Sequence, residues 1–492
     1  MNENRSRTPS WNIHALKELF VRSSDVQLLE HHFSEADDSV VWLIYAESLC
    51  DSKQLGTDIL PELKEIYSSK GFANFTETNY YGTLPFIPFS QKASGEFIVE
   101  SVFQGDLILF FPQTNSLFKL NICNVPGRKP EESSVEISIK GPKDGFTEEI
   151  SMNIALIRKR IRSNSLCCET MILGRRTRTK VGIMYIDDIL SPQVLSEIRK
   201  RLKKTDVDGI YSIGQLEELL GDVKYSLFPL LDFSGRPDYA VASLLAGRFI
   251  LLVDGNPFVL VAPATFSLIL KSPEDIHFNF QYVSFARLIR LLSFWLSAFL
   301  PGFWVSIAAF HQDQIPFRLM ATISVSRLGL PFTAQIEMLI LLILLEIFRE
   351  AGVRLPTSIG QTLTVVGALV IGDASIRAGL VSPSVVVVGA VTAVTGVTLV
   401  NQTLSTALST IRLSVFIVCS VLGLYGFILS IILLTFYMSK LSSFGVPYLS
   451  PLSPPIPKDI LKSFLRSPWS KLRGRPRVLN TVDPDHQGEQ EP

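Results

Sequence analysis

The chain of 492 residues has no excess of charge of either sign, with 46 Lys and Arg against 46 Asp and Glu. That balance argues against a polyanion-binding protein, because nucleic-acid modules carry a surplus of basic side chains. Cysteine is scarce, five residues without a C-x-x-C pair, which argues against a disulfide framework, a zinc ribbon or a thioredoxin-like site. The adjacent Cys167 and Cys168 read as reduced thiols on a strand rather than as a vicinal disulfide. Six histidines are scattered, and His31-His32 has no companion ligands at metal-binding spacing. G-x-S-x-G, H-E-x-x-H and a P-loop lysine are all missing. Asp187-Asp188 is an acidic turn after a strand, with Glu47-Ser48 at the corresponding earlier place. No catalytic residue, metal site or cofactor is expected, and the chain does not read as an enzyme. The first residues lack the apolar core of a secretory signal, so the polar part that follows is expected on the cytoplasmic side.

Charge is also unevenly missing. Residues 288–457 contain 13 charged side chains in 170 positions, whereas the other 322 positions hold 79. The zero net charge thus averages two different chemistries. Positions 12–285 read as mixed α/β. Val40–Tyr45 (VVWLIY) and Val181–Tyr185 (VGIMY) have the β-branched and aromatic content of strands. An amphipathic helix pattern follows each, carried by Leu55, Ile59, Leu60 and Leu63 and then by Leu195, Ile198 and Leu202. Setting Tyr45 on Tyr185 aligns Leu55 with Leu195 at an offset of 140, which reads as a duplicated unit and two related subdomains. A Pro-, Gly- and charge-rich linker lies at 125–143. Beyond it, Thr147-Glu148-Glu149 marks a helix start. Eight Lys and Arg between 158 and 180 are either a grip for anionic lipid or an acidic partner, or a solvated face.

The apolar part contains runs long enough for a ~30 Å bilayer core, which takes ~20 residues of helix. Leu291–Gln312 and Leu413–Met438 carry no charge, and Phe332–Phe348 and Ser382–Val400 are further candidate spans. Arg287 and Arg290 before the first run, and a basic tail from Lys458 to Arg477, place both flanks in the cytoplasm by the positive-inside rule. Both ends on one side require an even number of crossings. Four are expected with Thr357–Gly372 half-inserted; six result if this element and a 249–270 hairpin both cross. Gly389, Ala393, Thr392 and Gly396 repeat the small-x-x-x-small spacing of close helix packing. Glu337, Glu346, Asp373 and Arg377 interrupt apolar stretches, where charge marks either function or an ion pair that fixes packing. Thr362, Val366, Leu369, Val370 and Asp373 share one helical face: a polar position, an apolar constriction and an acid, the arrangement of a dewetting pore gate.

Several strings resemble one family: Asn153–Arg162, Gly174–Val181, Gly235–Asp238, Gly247–Leu260, Arg349–Pro356, Ala378–Pro383 and Ser443–Pro451 follow in order. The chain looks like the A subunit of a GerA-type spore germinant receptor, strongly over 145–451 and weakly before that. The resemblance implies a multi-pass protein of the endospore inner membrane, its N-terminal region and tail on the spore-core side, in contact with membrane lipids and not with nucleic acid. It implies a transporter-like B subunit that recognises germinant, a lipoprotein C subunit, and a homo-oligomer around a cation-releasing pore. The chain departs from relatives at Leu328, which stands where an acid often follows Arg327, and at Ser414, near Arg412, where a second Arg is common.

The expected fold is therefore an α/β cytoplasmic N-terminal region of two related subdomains (1–126 and 127–285, the second with a coupling hairpin). An α-helical polytopic membrane domain (286–440) and a basic cytoplasmic tail (441–492) follow. Arg236, Asp238, Asp254, Gly255 and Pro257 form a candidate coupling loop, or else a plain hairpin with its turn. The expected function is a germinant-gated cation channel subunit. The competing expectations are a transport subunit of the dipicolinate-release machinery and a non-conducting scaffold for partner subunits.

Overall fold

The computed structural model describes residues 11–35, 39–72, 84–89, 94–123, 136, 138–353, 372–472 and 474–486. The chain divides into two compact units, one of Met1–Gly221, Leu231–Pro263 and Arg473–Pro492, the other of Asp222–Leu230 and Ala264–Leu472.

The first unit contains two five-stranded antiparallel sheets. One joins β1 (Val26–His32), β2 (Val40–Ala46), β3 (Ile87–Pro88), β4 (Asp106–Phe111) and β5 (Ser116–Asn121) in the order β1-β2-β4-β5-β3. The other joins β6 (Leu166–Leu173), β7 (Thr179–Ile186), β8 (Asp232–Ser234), β9 (Phe249–Val253) and β10 (Val259–Ala262) in the order β6-β7-β9-β10-β8. The two sheets repeat one topology, with Tyr45 and Tyr185 at the same place on their second strands. The expected 249–270 hairpin is thus β9 and β10 of a sheet, paired from Val259–Leu252 to Ala262–Phe249.

Alternation along β2 explains why its run is apolar throughout. Val41, Leu43 and Tyr45 face one core with Leu55, Ile59 and Leu63. Ile44 and Ala46 face the other, with Leu16 and Phe20 of α1 (Ile13–Phe20) and Ile98 and Val102 of a later helix, Gly95–Phe103. A sheet covered on both faces needs apolar residues at both parities.

The two repeats are tied within this unit at one buried charge. Arg158 ends α2 (Ile150–Arg158), and its side chain is fully buried. Its guanidinium donates to both oxygens of Asp25 at 2.9 Å, to Ser23 Oγ at 3.3 Å and to the Leu166 carbonyl at 2.7 Å. It also lies 4.0 Å from the Phe103 ring centroid. Beside it, Ser24 N donates to Cys168 O and Cys168 N to Arg22 O, so the first repeat covers the edge strand of the second. Cys167 and Cys168 are both free thiols.

In the second unit α3 (Phe280–Val305) is followed by a π-turn to Phe310, then α4 (Phe317–Ser326), α5 (Ala334–Val353), α6 (Pro383–Val397) and α7 (Gln402–Lys440). Among the described residues, Phe280–Phe310 and Gln402–Lys440 are long and apolar enough, by length and composition, to cross a membrane, although the second consists of two helices joined at Gly423. The helix begins well before the expected Leu291 because its first turns are held from outside the apolar run: Asp275 accepts from Arg287 at 2.9 Å and from Arg290 at 2.8 Å. Burial works against the Asp275 charge, but Arg290 and Arg287 outweigh it and hold its carboxyl below the usual range. The span expected at Leu413–Met438 is not straight. Gly423 has φ 60° and ψ −138°, and a side chain at Gly426 would touch the Val418 carbonyl eight residues earlier. Phe310 packs on Gly423, while Cys419 on one side and Phe427 on the other lie beside Gly302 and Phe303. The chain therefore turns back at Gly423, where only a glycine tolerates the positive φ.

Replacing Arg158 by Ala leaves Asp25 charged and buried and should cost about 3–5 kcal/mol. Thermal unfolding of the full chain should show a large loss for R158A and a smaller one when D25L accompanies R158M. An unchanged R158A transition would contradict this role.

Candidate functional site

The apolar bundle of the second unit contains two charge clusters, one toward each end of α5. Glu337 lies in its first turn and is completely buried. Its Oε2 accepts from the backbone N of Ser382 at 2.9 Å, and its Oε1 lies 3.3 Å from Arg327 Nε without a hydrogen bond. Ser382 is the residue before α6, so the carboxylate sits at that helix's positive end. Arg327 thus has a partner ten positions further on, although the residue that follows it is Leu328.

Glu346, nine residues along α5 and about 13 Å away at helical rise, is half-exposed. It accepts from Arg349 at 2.5 Å and from Arg412 of α7 at 3.0 Å. Arg349 also donates to the Ser405 carbonyl at 3.1 Å. Asp373 and Arg377 pair with each other at 2.6 Å, one turn apart and largely exposed, so their charges are matched locally. Thr362, Val366, Leu369 and Val370 lie outside the described residues.

These contacts fix directions. Gly389 of α6 packs where an added Cβ would meet Leu341 at 2.3 Å, and Gly396 faces Ser297 of α3. Helix α6 therefore runs beside α5 in the same sense, from the Glu337 end, where Ser382 is bound, toward the Arg349 end. The chain leaves α5 at Val353 and re-enters beside Glu337 at Ser382, at opposite ends of one helix. Small residues at Gly389 and Gly396 let the helices approach this closely.

In the first unit the candidate coupling residues divide. Arg236 and Asp238 form a bidentate pair at 3.0 and 2.6 Å, with Arg236 buried. Asp254 instead receives the Ile150 N–H at 3.2 Å, Gly255 N donates to the Glu148 carbonyl at 2.7 Å, and Gly255 has φ +83°. With half-buried Pro257, these residues shape the β9–β10 turn that caps α2. In the basic run 158–180, four of the eight charges have acidic partners: Arg158 with Asp25, Arg160 with Asp144, Arg175 with Asp206 and Arg176 with Asp208.

A cleft of about 380 Å³ opens between the repeats, lined by Glu18, Arg22, Ser165, Cys167, Asp187 and Asp188 among others. Arg22 is engaged by Asp187. Among the described residues no cluster of His, Cys, Asp and Glu is suited to a metal ion.

Sequence reasoning missed Arg327, Ser382 and Arg158 as anchors. Only Arg158 left a readable signal: it falls on the stripe Ile150, Ile154, Ile157 of its own helix, where a solvated arginine has no place. Two half-buried acids near β8 were also missed. Burial pushes Glu136 up to about 7 against hydrogen bonds from Ser234 and Gly235. Burial likewise pushes Glu217 up to about 7, against a hydrogen bond from Leu231 and with Asp232 adding to the rise.

Glu337→Ala leaves a half-buried arginine and a helix-start N–H without their carboxylate and should destabilise the full chain in detergent by about 1–3 kcal/mol. Glu337→Gln keeps an acceptor for Ser382 and should cost clearly less; equal losses would contradict the geometry. An acid that holds its proton to higher pH when folded loses stability as pH rises between its unfolded and folded values. Glu136 and Glu217 therefore contribute most below 4.5 and lose that contribution up to about 7. In melts across this window, E217Q should flatten the pH dependence, and an unchanged slope would exclude Glu217 as its source.

A family profile described as Bacillus/Clostridium GerA spore germination protein matches residues 14–478. Spore germination protein XA of Bacillus anthracis is 40% identical over 480 residues, covering 97% of each chain. Spore germination protein KA of Bacillus subtilis (strain 168) is 35% identical over 483 residues, covering 97% of this chain and 88% of the relative. Among solved structures, the N-terminal domain of the A subunit of the Bacillus megaterium spore germinant receptor GerK3 is similar, with 29% sequence identity and a TM-score of 0.35, over 52% of this chain and 94% of that one. With a profile match over nearly its whole length and relatives at this identity, the chain belongs to the GerA family of spore germination proteins, germinant-receptor A subunits and not enzymes.

Proposed function

We propose that this A subunit, which acts in spore germination, oligomerises in the spore inner membrane into a germinant-gated cation channel. In this reading it works with a transporter-like B subunit that recognises the nutrient and a lipoprotein C subunit, and its N-terminal region and tail face the spore core. The observation that carries the reading is the pair of anchors at the two ends of α5. Arg349 binds Ser405 at one end, Glu337 binds Ser382 at the other, and the chain changes ends between them. Thr362, Val366, Leu369 and Val370 belong to the stretch that joins those ends, followed by Asp373. A polar position, an apolar constriction and an acid then line the conducting path.

The helices around that path pack through buried ion pairs and small residues, which is how a bundle holds charge without exposing it to lipid. Glu337 and Glu346 are packing anchors here, and the Asp373–Arg377 pair marks one mouth.

Reconstitution of the chain with both partner subunits in vesicles tests the channel. Nutrient should start cation flux, and V366S or L369A should raise leakage without nutrient, because a less apolar constriction wets more readily. Absence of flux from every correctly assembled preparation would leave a scaffold role in place of the channel.

A further inference from the structure

We propose that Val223, Tyr225 and Leu227 form an interfacial anchor that dips into the headgroup layer of an anionic bilayer. The segment Asp222–Leu230 belongs to the helical unit, although chain of the first unit precedes and follows it. Its inward-facing groups are firmly held. The Asp222 carboxylate accepts from Ser442 Oγ at 2.6 Å and from the Phe444 N–H at 3.0 Å. Leu227 N donates to Tyr437 Oη at 2.9 Å, and the Leu230 carbonyl accepts from Ser443 Oγ at 2.6 Å. Phe228 is buried with its ring 6.4 Å from Phe294, 6.2 Å from Tyr437 and 5.9 Å from Tyr448.

The outward side is apolar. Val223, Tyr225 and Leu227, every second residue, are 39, 93 and 49% exposed, and Lys224 between them is exposed as well. A loop fastened at this many points but left apolar toward the outside marks an interaction surface.

The neighbouring helix end says what covers it. Tyr437, which receives the Leu227 N–H, lies in α7 beside Ile432, Leu433 and Phe436, exposed by 57, 55 and 57%. Lys440 closes the helix with its ammonium 4.4 Å from the Phe436 ring centroid. Exposed aliphatic residues giving way to Tyr and then Lys is the sequence of chemistries met from hydrocarbon to headgroup. The segment is bonded at that level, so its apolar side chains continue the lipid-facing surface of α7. A tyrosine suits this boundary, its ring in the acyl region and its hydroxyl among headgroups. Lys224 and Lys440 add charge complementary to anionic lipid.

The proposal rests on the reading that α7 lies in a membrane, and the test separates the two. The full chain, with C123S removing its exposed thiol, carries a bimane label at Y225C or, as reference, at L433C. Vesicles of phosphatidylcholine and phosphatidylglycerol contain a lipid with a nitroxide just below the headgroup. Quenching at position 225 comparable with that at 433, lost at 225 alone on adding V223D and L227D, is the expected result. Quenching at 433 without quenching at 225 overturns the anchor and assigns the segment to water or a protein partner. Quenching at neither position overturns the anchor together with the membrane reading. Omitting phosphatidylglycerol should weaken quenching at 225; an unchanged signal would refute the anionic preference.

Discussion

A carboxylate with no exposure, inside a bundle that is otherwise nearly free of charge, must be neutralised by its own surroundings or not be there at all. Glu337 meets that constraint with Arg327 on one side and the first N–H of the Ser382–α6 junction on the other. Both contacts are obligatory in a medium that supplies no water, and together they determine where α6 starts. The start of α6 then sets its path beside α5, the contact of Gly389 with Leu341, and the end of the bundle at which the chain returns. One buried acid thereby organises the region on either side of the proposed conducting stretch. The Glu346–Arg412–Arg349 cluster plays the complementary part near the other end, where partial exposure makes each pair weaker.

The N-terminal unit uses the same device for a different purpose. Arg158 belongs to the second repeat and its carboxylate partner to the first, so this buried pair joins two sheets of identical strand order. Several strings that mark the family turn out to be structural. Gly174–Val181 is the β6–β7 turn and the start of β7, with Gly174 at φ +88° and Arg178 at φ 48°, and Thr177 Oγ1 accepts the Ile210 N–H at 3.1 Å. Asn153 closes on Thr147 through hydrogen bonds at 2.8 and 2.6 Å. Such residues hold turns and helix ends in place.

What was legible in the sequence depended on local periodicity. VVWLIY and VGIMY announced β2 and β7 because composition alone separates covered strands from turns; the offset of 140 held at Tyr45 and Tyr185 but slipped by one in the helices that follow, where the buried Leu55, Ile59 and Leu63 answer to Val194, Ile198 and Leu202. The reversal at Gly423 was not legible. Hydropathy runs evenly through Leu413–Met438, and nothing in the composition tells a straight helix from one broken by a single positive φ. Arg287 and Arg290 read as free topogenic charges, but their partner, Asp275, lies outside the helix and only the folded chain brings it there. Asp373 and Arg377 were readable either as functional charges or as an ion pair; the pairing one turn apart is what the structure shows. The coupling loop was partly legible: Asp254-Gly255 marked a turn, but not that the turn would cap α2.

The central claim is that α5 ends at one end of the bundle and α6 begins at the other. Sidedness tests it most directly. With C123S as background, single cysteines E350C and L380C can be exposed to a membrane-impermeant thiol reagent in sealed, uniformly oriented vesicles of the full chain. The account predicts that the reagent reaches the two positions from opposite faces of the membrane. Modification of both from the same face would contradict it.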